Sequence, residues 1–201
     1  MHRPRYPHRV LGGIYLQRSR YTSRLLPKYQ NNGYVDLLVR NLRRPSPAAR
    51  LSALAKERGF FVESDRMTGT TKLLDITGLE VEFLIRKMGA GKEPALKTNI
   101  GVTAQALWHM DVILKNTVDV RCLGHAVTVP TPEAYAIHKM IINGERGKKA
   151  EKDAHAVENM LPLLDEEKLN KIFSSLSKKE KARVRTFAET YSVATRILEI
   201  V

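Results

Sequence analysis

The chain predicts an α+β fold in two parts, with mixed strands and helices over residues 1–130 and helices alone over 131–201. Three observations carry this. Short runs of aliphatic and aromatic residues bounded by turn-formers recur in the first part, most clearly at 34–39 and at 72–86 around Gly78. Thr131-Pro132-Glu133 then has the form of a helix start. From there to Val201 everything reads as helical, which excludes an alternating, doubly wound sheet.

Taken in order, residues 1–9 hold two prolines and three arginines and form a loose arm. Residues 10–16 are apolar around Gly12-Gly13, either a strand or the start of a helix with a close backbone approach. Residues 17–33 are polar, basic and turn-rich, ending in Asn31-Asn32-Gly33, which suits a tight turn into the strand at 34–39. Ser46 is an N-cap and Pro47 the first helical position for a helix over 48–58, with Leu51, Leu54 and Ala55 on one face and Gly59 closing it. Residues 60–62 are strand-like, and 72–77 and 79–86 pair as an antiparallel hairpin. Residues 87–100 read as a loop. Residues 102–118 fit either a helix or two short extended pieces, and 118–122 and 126–129 fit strands. In the helical part the joins fall at 143–148, 162–165 and 174–177, and Ser177-Lys178-Lys179-Glu180 is a capping box.

Composition narrows the function. The 201 residues are 43% hydrophobic, enough for a real core, and no apolar run approaches the ~20 residues that span a bilayer. The basic N-terminus lacks the apolar stretch and cleavage site of a signal peptide. Cys122 is the only cysteine, which excludes an internal disulfide and a multi-cysteine zinc site and fits a cytoplasmic location. The net charge of +13 is uneven: residues 1–50 hold eleven Lys and Arg against the single acid Asp36. Such a basic end attracts polyanions such as RNA, DNA or nucleotide phosphates, although solvated arginines for solubility would look the same.

Two strands carry an acid among aliphatics: Asp36 in Val35-Asp36-Leu37-Leu38-Val39 and Glu82 in Val81-Glu82-Phe83-Leu84-Ile85. A carboxylate in such a setting needs a partner or a cation. Two of them converging on one sheet face could hold Mg²⁺ against a nucleotide phosphate. Either acid alone is ordinary on the wet face of an antiparallel sheet or beside an arginine. Further on, His138 and Lys139 lie on one helix, Arg146, Lys148 and Lys149 crowd a Gly144–Gly147 turn, and Lys152 and Asp153 open the next helix. Packing Tyr135, Ile137, Met140 and Ile141 against Val157, Met160 and Leu161 is expected to bring Lys139 and Asp153 toward the cleft of the strand acids. Leu169, Ile172, Phe173 and Leu176 form a stripe that is either core or an assembly face.

The order of these pieces resembles the nucleotidyltransferase superfamily with its polymerase-β-like fold. The closest likeness is to uncharacterised bacterial members, with a more distant one to abortive-infection and tRNA-modifying nucleotidyltransferase toxins. The resemblance covers roughly residues 10–165. It rests on Leu11-Gly12-Gly13, the Asp36 strand, Leu79-Glu80-Val81-Glu82-Phe83-Leu84, and the segment from Val129-Pro130-Thr131-Pro132-Glu133 through His138-Lys139 to Arg146 and Lys152-Asp153. It implies a small mixed or antiparallel sheet with flanking helices, followed by a C-terminal helical bundle. It further implies Gly12 and Gly13 under the triphosphate, Asp36 and Glu82 as catalytic, metal-binding acids for Mg²⁺ or Mn²⁺, and Lys139, Arg146 and Asp153 around the nucleotide. The expected activity is nucleotide transfer from an NTP to an RNA, tRNA among the candidates, or to a protein, with RNA engaged by the basic N-terminal lobe. The family usually places two acids one residue apart on the first strand. Here Tyr34 stands where the other acid would be, and residues 1–35 hold no Asp or Glu. A catalytically weakened or inactive nucleotide- or nucleic-acid-binding protein is therefore the alternative.

Overall fold

A computed structural model describes residues 14–18 (backbone only), 33–39, 51–87, 93–122 and 124–191. Gly12, Gly13, Pro47 and the N-terminal arm lie outside the described residues. The fold is a mixed α/β one, with strands first and helices afterwards as the sequence predicts. By backbone proximity the chain divides into two compact units, Met1–Leu84 with Lys97–Ala104 and Ile85–Leu96 with Gln105–Val201.

In the first unit, β1 (Ile14–Arg18) and β2 (Tyr34–Val39) pair antiparallel, with Gln17 opposite Asp36. Helix α1 (Leu51–Glu57) buries Ala55 and ends at Gly59, whose φ of 84° is the left-handed conformation the sequence assigns to it. Strands β3 (Phe61–Ser64), β4 (Thr71–Leu74) and β5 (Glu80–Arg86) form an antiparallel meander. The β4–β5 turn is organised by Asp75, whose Oδ1 accepts from the amides of Thr77 and Leu79, both at 2.8 Å, while Gly78 takes a φ of 81°. That turn sets the register in which Lys72 faces Glu82. The sheet order is β1-β2-β5-β4-β3. Val35, Leu38, Val39, Leu73, Val81 and Phe83 are buried.

Two segments that the sequence left unresolved or took for a loop acquire structure. Strand β6 (Ala95–Lys97) lies inside the expected 87–100 loop and pairs with β7 (Thr103–Leu107), which also pairs with β5. Pairing with a neighbour, not local propensity, makes these three residues a strand. The ambiguous stretch 102–118 is neither alternative outright. It is the strand β7 followed by a five-residue helix α2 (Asp111–Lys115). The hairpin β8 (Thr117–Cys122) and β9 (His125–Pro130) follows as a separate two-stranded sheet.

The helical part is α3 (Pro132–Ile142), α4 (Ala150–Met160), α5 (Glu166–Ser174) and α6 (Lys178–Thr190). Thr131 caps α3 through its side-chain oxygen with Pro132 in the first turn, and Ser177 and Glu180 form the predicted capping box on α6. Ala134, Ile137, Met140 and Ile141 of α3 pack with Val157 of α4, Leu169, Ile172 and Phe173 of α5, and Val184 and Phe187 of α6. The Leu169, Ile172, Phe173 and Leu176 stripe is thus core, which leaves no assembly face there. Among the described residues, no helix is long and apolar enough to cross a membrane.

Candidate functional site

Strand β2 carries Asp36 and strand β5 carries Glu82, and the two strands are hydrogen-bonded neighbours. Their starts are pinned together, because the Gly33 carbonyl accepts from the Glu80 amide at 2.7 Å. Gly33 itself has a φ of 67°, and a Cβ there would stand 3.0 Å from the Gly78 carbonyl oxygen, so both conformation and space call for glycine. Asp36 is half-buried, while Val35 beside it is buried. Tyr34, the residue standing where a second acid would be expected, is 52% exposed.

Glu82 is not alone on its face. Lys72, directly opposite on β4, places Nζ 2.7 Å from Glu82 Oε1 and also bonds Glu80. The bonds to Glu80 and then Glu82 raise the lysine's pKa above its ordinary value, against a smaller opposing effect of burial. Lys72 is a site residue that the acid pattern of the sequence does not single out. The signal for it was present, since it lies as far before the hairpin turn as Glu82 lies after it.

The second predicted constellation closes on itself inside the second unit. Asp153, 2% exposed, accepts from Lys139 Nζ at its Oδ1 and from Arg146 Nε at its Oδ2, both at 2.8 Å. The packing of α3 on α4 joins Lys139 and Arg146 to Asp153, an ion-paired triad that the sequence reading did not state. Lys139 also lies 5.3 Å from the Tyr135 ring centroid. Asn143 holds the turn by donating to the Ala150 carbonyl at 2.7 Å. The triad carries one net positive charge, and among the described residues nothing accepts from the terminal guanidinium nitrogens of Arg146, whose side chain is a third exposed. This is chemistry suited to an anion such as phosphate.

His138, 5% exposed, has neither ring nitrogen hydrogen-bonded. Burial first, then repulsion from Lys139, His109 and Arg146, push its pKa down to about 3, with Asp153 opposing. His138 is therefore a neutral core imidazole. His109 belongs to a different network that the sequence did not signal. It has a φ of 61°, and its Nδ1 stands 3.0 Å from Glu180 Oε1 and its Nε2 3.1 Å from Arg183 Nη1. Arg183 can only donate, so Nε2 accepts and Nδ1 carries the proton toward Glu180. Arg183 Nη2 also donates to Glu145 at 2.6 Å. No group of three or more His, Cys, Asp or Glu arranged for a metal occurs among the described residues.

A family model described as "Nucleotidyltransferase" matches residues 35–180, which spans both acid strands, the Lys139–Arg146–Asp153 triad and the helices through the start of α6. The chain belongs to this nucleotidyltransferase family. The family supports nucleotidyl transfer as the function, with a nucleotide as substrate. A solved structure titled an antigenic nucleotidyltransferase-like protein, from Paracoccidioides brasiliensis, is similar at 14% identity, covering 94% of this chain and 84% of that one with a TM-score of 0.54. At that identity the likeness concerns the fold of this nucleotidyltransferase alone. No curated protein sequence matches the chain.

Proposed function

We propose that the protein transfers a nucleotide from an NTP to an RNA or protein acceptor, using Mg²⁺ or Mn²⁺, with tRNA the first RNA to test. In such a step an acceptor hydroxyl gives up its proton to solvent, its oxygen bonds to the α-phosphorus as the bond to the β-phosphate oxygen breaks, and pyrophosphate leaves. The observation that carries the reading is the placement of Asp36 and Glu82 on hydrogen-bonded neighbouring strands within the family match. Both offer hard oxygen donors, and one or two carboxylates with substrate phosphates are an ordinary Mg²⁺ set. Lys72 holds Glu80 as well as Glu82, so Glu82 can turn to a cation without stranding the lysine. The metal's contribution is neutralisation of phosphate charge. Lys139 and Arg146, oriented by Asp153, are assigned to phosphate, and Gly12 and Gly13 to the close approach of the triphosphate.

The test is transfer of label from α-labelled NTP to bulk tRNA. Wild type transfers label, and both Asp36→Ala and Glu82→Gln lower transfer by at least a hundredfold while keeping the wild-type melting profile. Transfer at the wild-type rate in Asp36→Ala removes the assignment. Tyr34 in place of an acid and the Lys72–Glu82 ion pair favour a second reading, a binder that has lost catalysis. It predicts saturable NTP binding with no transfer in any metal.

A further inference from the structure

The α5–α6 hairpin carries cations that the fold leaves without counter-ions. Lys168 pairs with Asp165 and Arg183 with Glu145, and Glu180 is taken up by Ser177 and His109. Lys171, Lys178, Lys179, Lys181 and Arg185 have no carboxylate within salt-bridge distance among the described residues. On α6, Lys178, Lys181 and Arg185 follow i, i+3, i+7 spacing and so share one stripe, about 10 Å long at the helical rise. Two of the three converge on one ring: Lys181 Nζ lies 5.6 Å and Arg185 Cζ 5.7 Å from the centroid of Phe173.

Ion pairing within the described residues does not account for this arrangement. Lys178 and Lys179 occupy the first turn of α6, where the helix macrodipole disfavours positive charge. The face of the Phe173 ring attracts Lys181 and Arg185, but the two like charges stand together with no carboxylate paired to either among the described residues. A bound polyanion relieves both. Beside the cations on this face lie Ala182 and the exposed Glu189, and the rings of Phe173 and Phe187 are buried, so the stripe offers no aromatic platform for bases. It fits the phosphate backbone of a paired nucleic acid, read without sequence.

We infer that the Lys178–Lys181–Arg185 stripe is a docking surface for the phosphate backbone of an RNA stem, separate from the residues assigned to nucleotide transfer. The choice of RNA over DNA rests on the RNA acceptor proposed above; the surface itself does not. The experiment is fluorescence anisotropy of a labelled RNA hairpin with the full chain, without NTP, across a salt series. The triple variant Lys178→Gln, Lys181→Gln, Arg185→Gln is expected to bind at least tenfold more weakly at 150 mM salt. The slope of log affinity against log salt should fall in magnitude by about 2–3, near one per lost contact. Lys56→Gln, Arg58→Gln, Lys97→Gln removes equal charge from exposed positions elsewhere and should leave the slope within one of wild type. Lys178→Gln alone relieves the macrodipole and keeps the fold, so its slope change of about one reads the same contact if the triple variant unfolds. An unchanged slope in the stripe variants, or equal loss in both triple variants, overturns the surface. Equal binding of a DNA duplex with the same dependence on the stripe overturns the choice of RNA. Asp36→Ala should bind the hairpin as wild type does, so loss of transfer with binding intact separates failure of the catalytic reading from failure of this one.

Discussion

At the scale of single residues, burial decides what each polar group can do. His138 and Asp153 are both almost fully buried in the second unit, yet their states differ because Asp153 has two cationic donors and His138 has no partner. The depressed pKa of His138 gives a signed prediction. Below the unfolded value near 6.5 the unfolded chain takes up a proton that the native chain refuses until about pH 3. Stability is therefore full above about pH 6.5 and falls by about 1.4 kcal/mol per pH unit as pH drops through that window. Urea unfolding at pH 7.5 and 5.0 should show His138→Leu sparing about 2 kcal/mol of the acid loss seen in wild type. An identical pH dependence in the two chains removes His138 from the acid sensitivity. Asp153→Asn would leave Lys139 and Arg146 facing each other without a counter-ion. An unfolding loss of about 3 kcal/mol is expected, measurable by the same titration.

At the scale of elements, termini and turns do the specifying. The capping box joins Ser177 to Glu180 in both directions, and Glu180 also receives His109. Burial of the Glu180 carboxyl opposes its ionisation, but the bonds from Ser177 and His109 outweigh this and hold it below the ordinary glutamate range. Ser177→Ala should lower stability by about 1 kcal/mol in chemical denaturation, as the loss of an N-cap does elsewhere. Gly33 is the sharper case, because its positive φ and the nearby Gly78 carbonyl act together where β2 and β5 start. Gly33→Ala should destabilise by about 2 kcal/mol and, by disturbing the start of the Asp36 strand, depress nucleotide transfer as well. An alanine variant with wild-type unfolding and transfer would show that the strand start tolerates the shift.

At the scale of the whole molecule, charge and family membership bear on function together. Residues 1–50 carry most of the net charge of +13, and the remaining positive excess is gathered partly on α6. Phosphate-bearing substrates suit both regions. If Asp36 and Glu82 hold a divalent ion, transfer should vanish in EDTA and return with Mg²⁺ or Mn²⁺, while far-ultraviolet circular dichroism stays constant. Return of activity in metal-free buffer would exclude that use of the two acids.

Much of the fold was legible because it is written in local chemistry. Thr131-Pro132 and Ser177 through Glu180 mark helix starts, Gly78 marks the hairpin turn, and the aliphatic runs around Asp36 and Glu82 mark β2 and β5. These signals act between residues close in the chain, so they survive without knowledge of the rest. Strand β6 escaped, since three residues become a strand only when β7 lies beside them. The site was legible in its candidates and not in their partners. That Asp153 clamps both Lys139 and Arg146, that Lys72 spans Glu80 and Glu82, and that His138 is sealed from water are facts of packing. Residue type and spacing by themselves determined which groups could act. Only the tertiary structure decided which charges meet and which are dry, because desolvation and ion pairing depend on neighbours brought together across the chain.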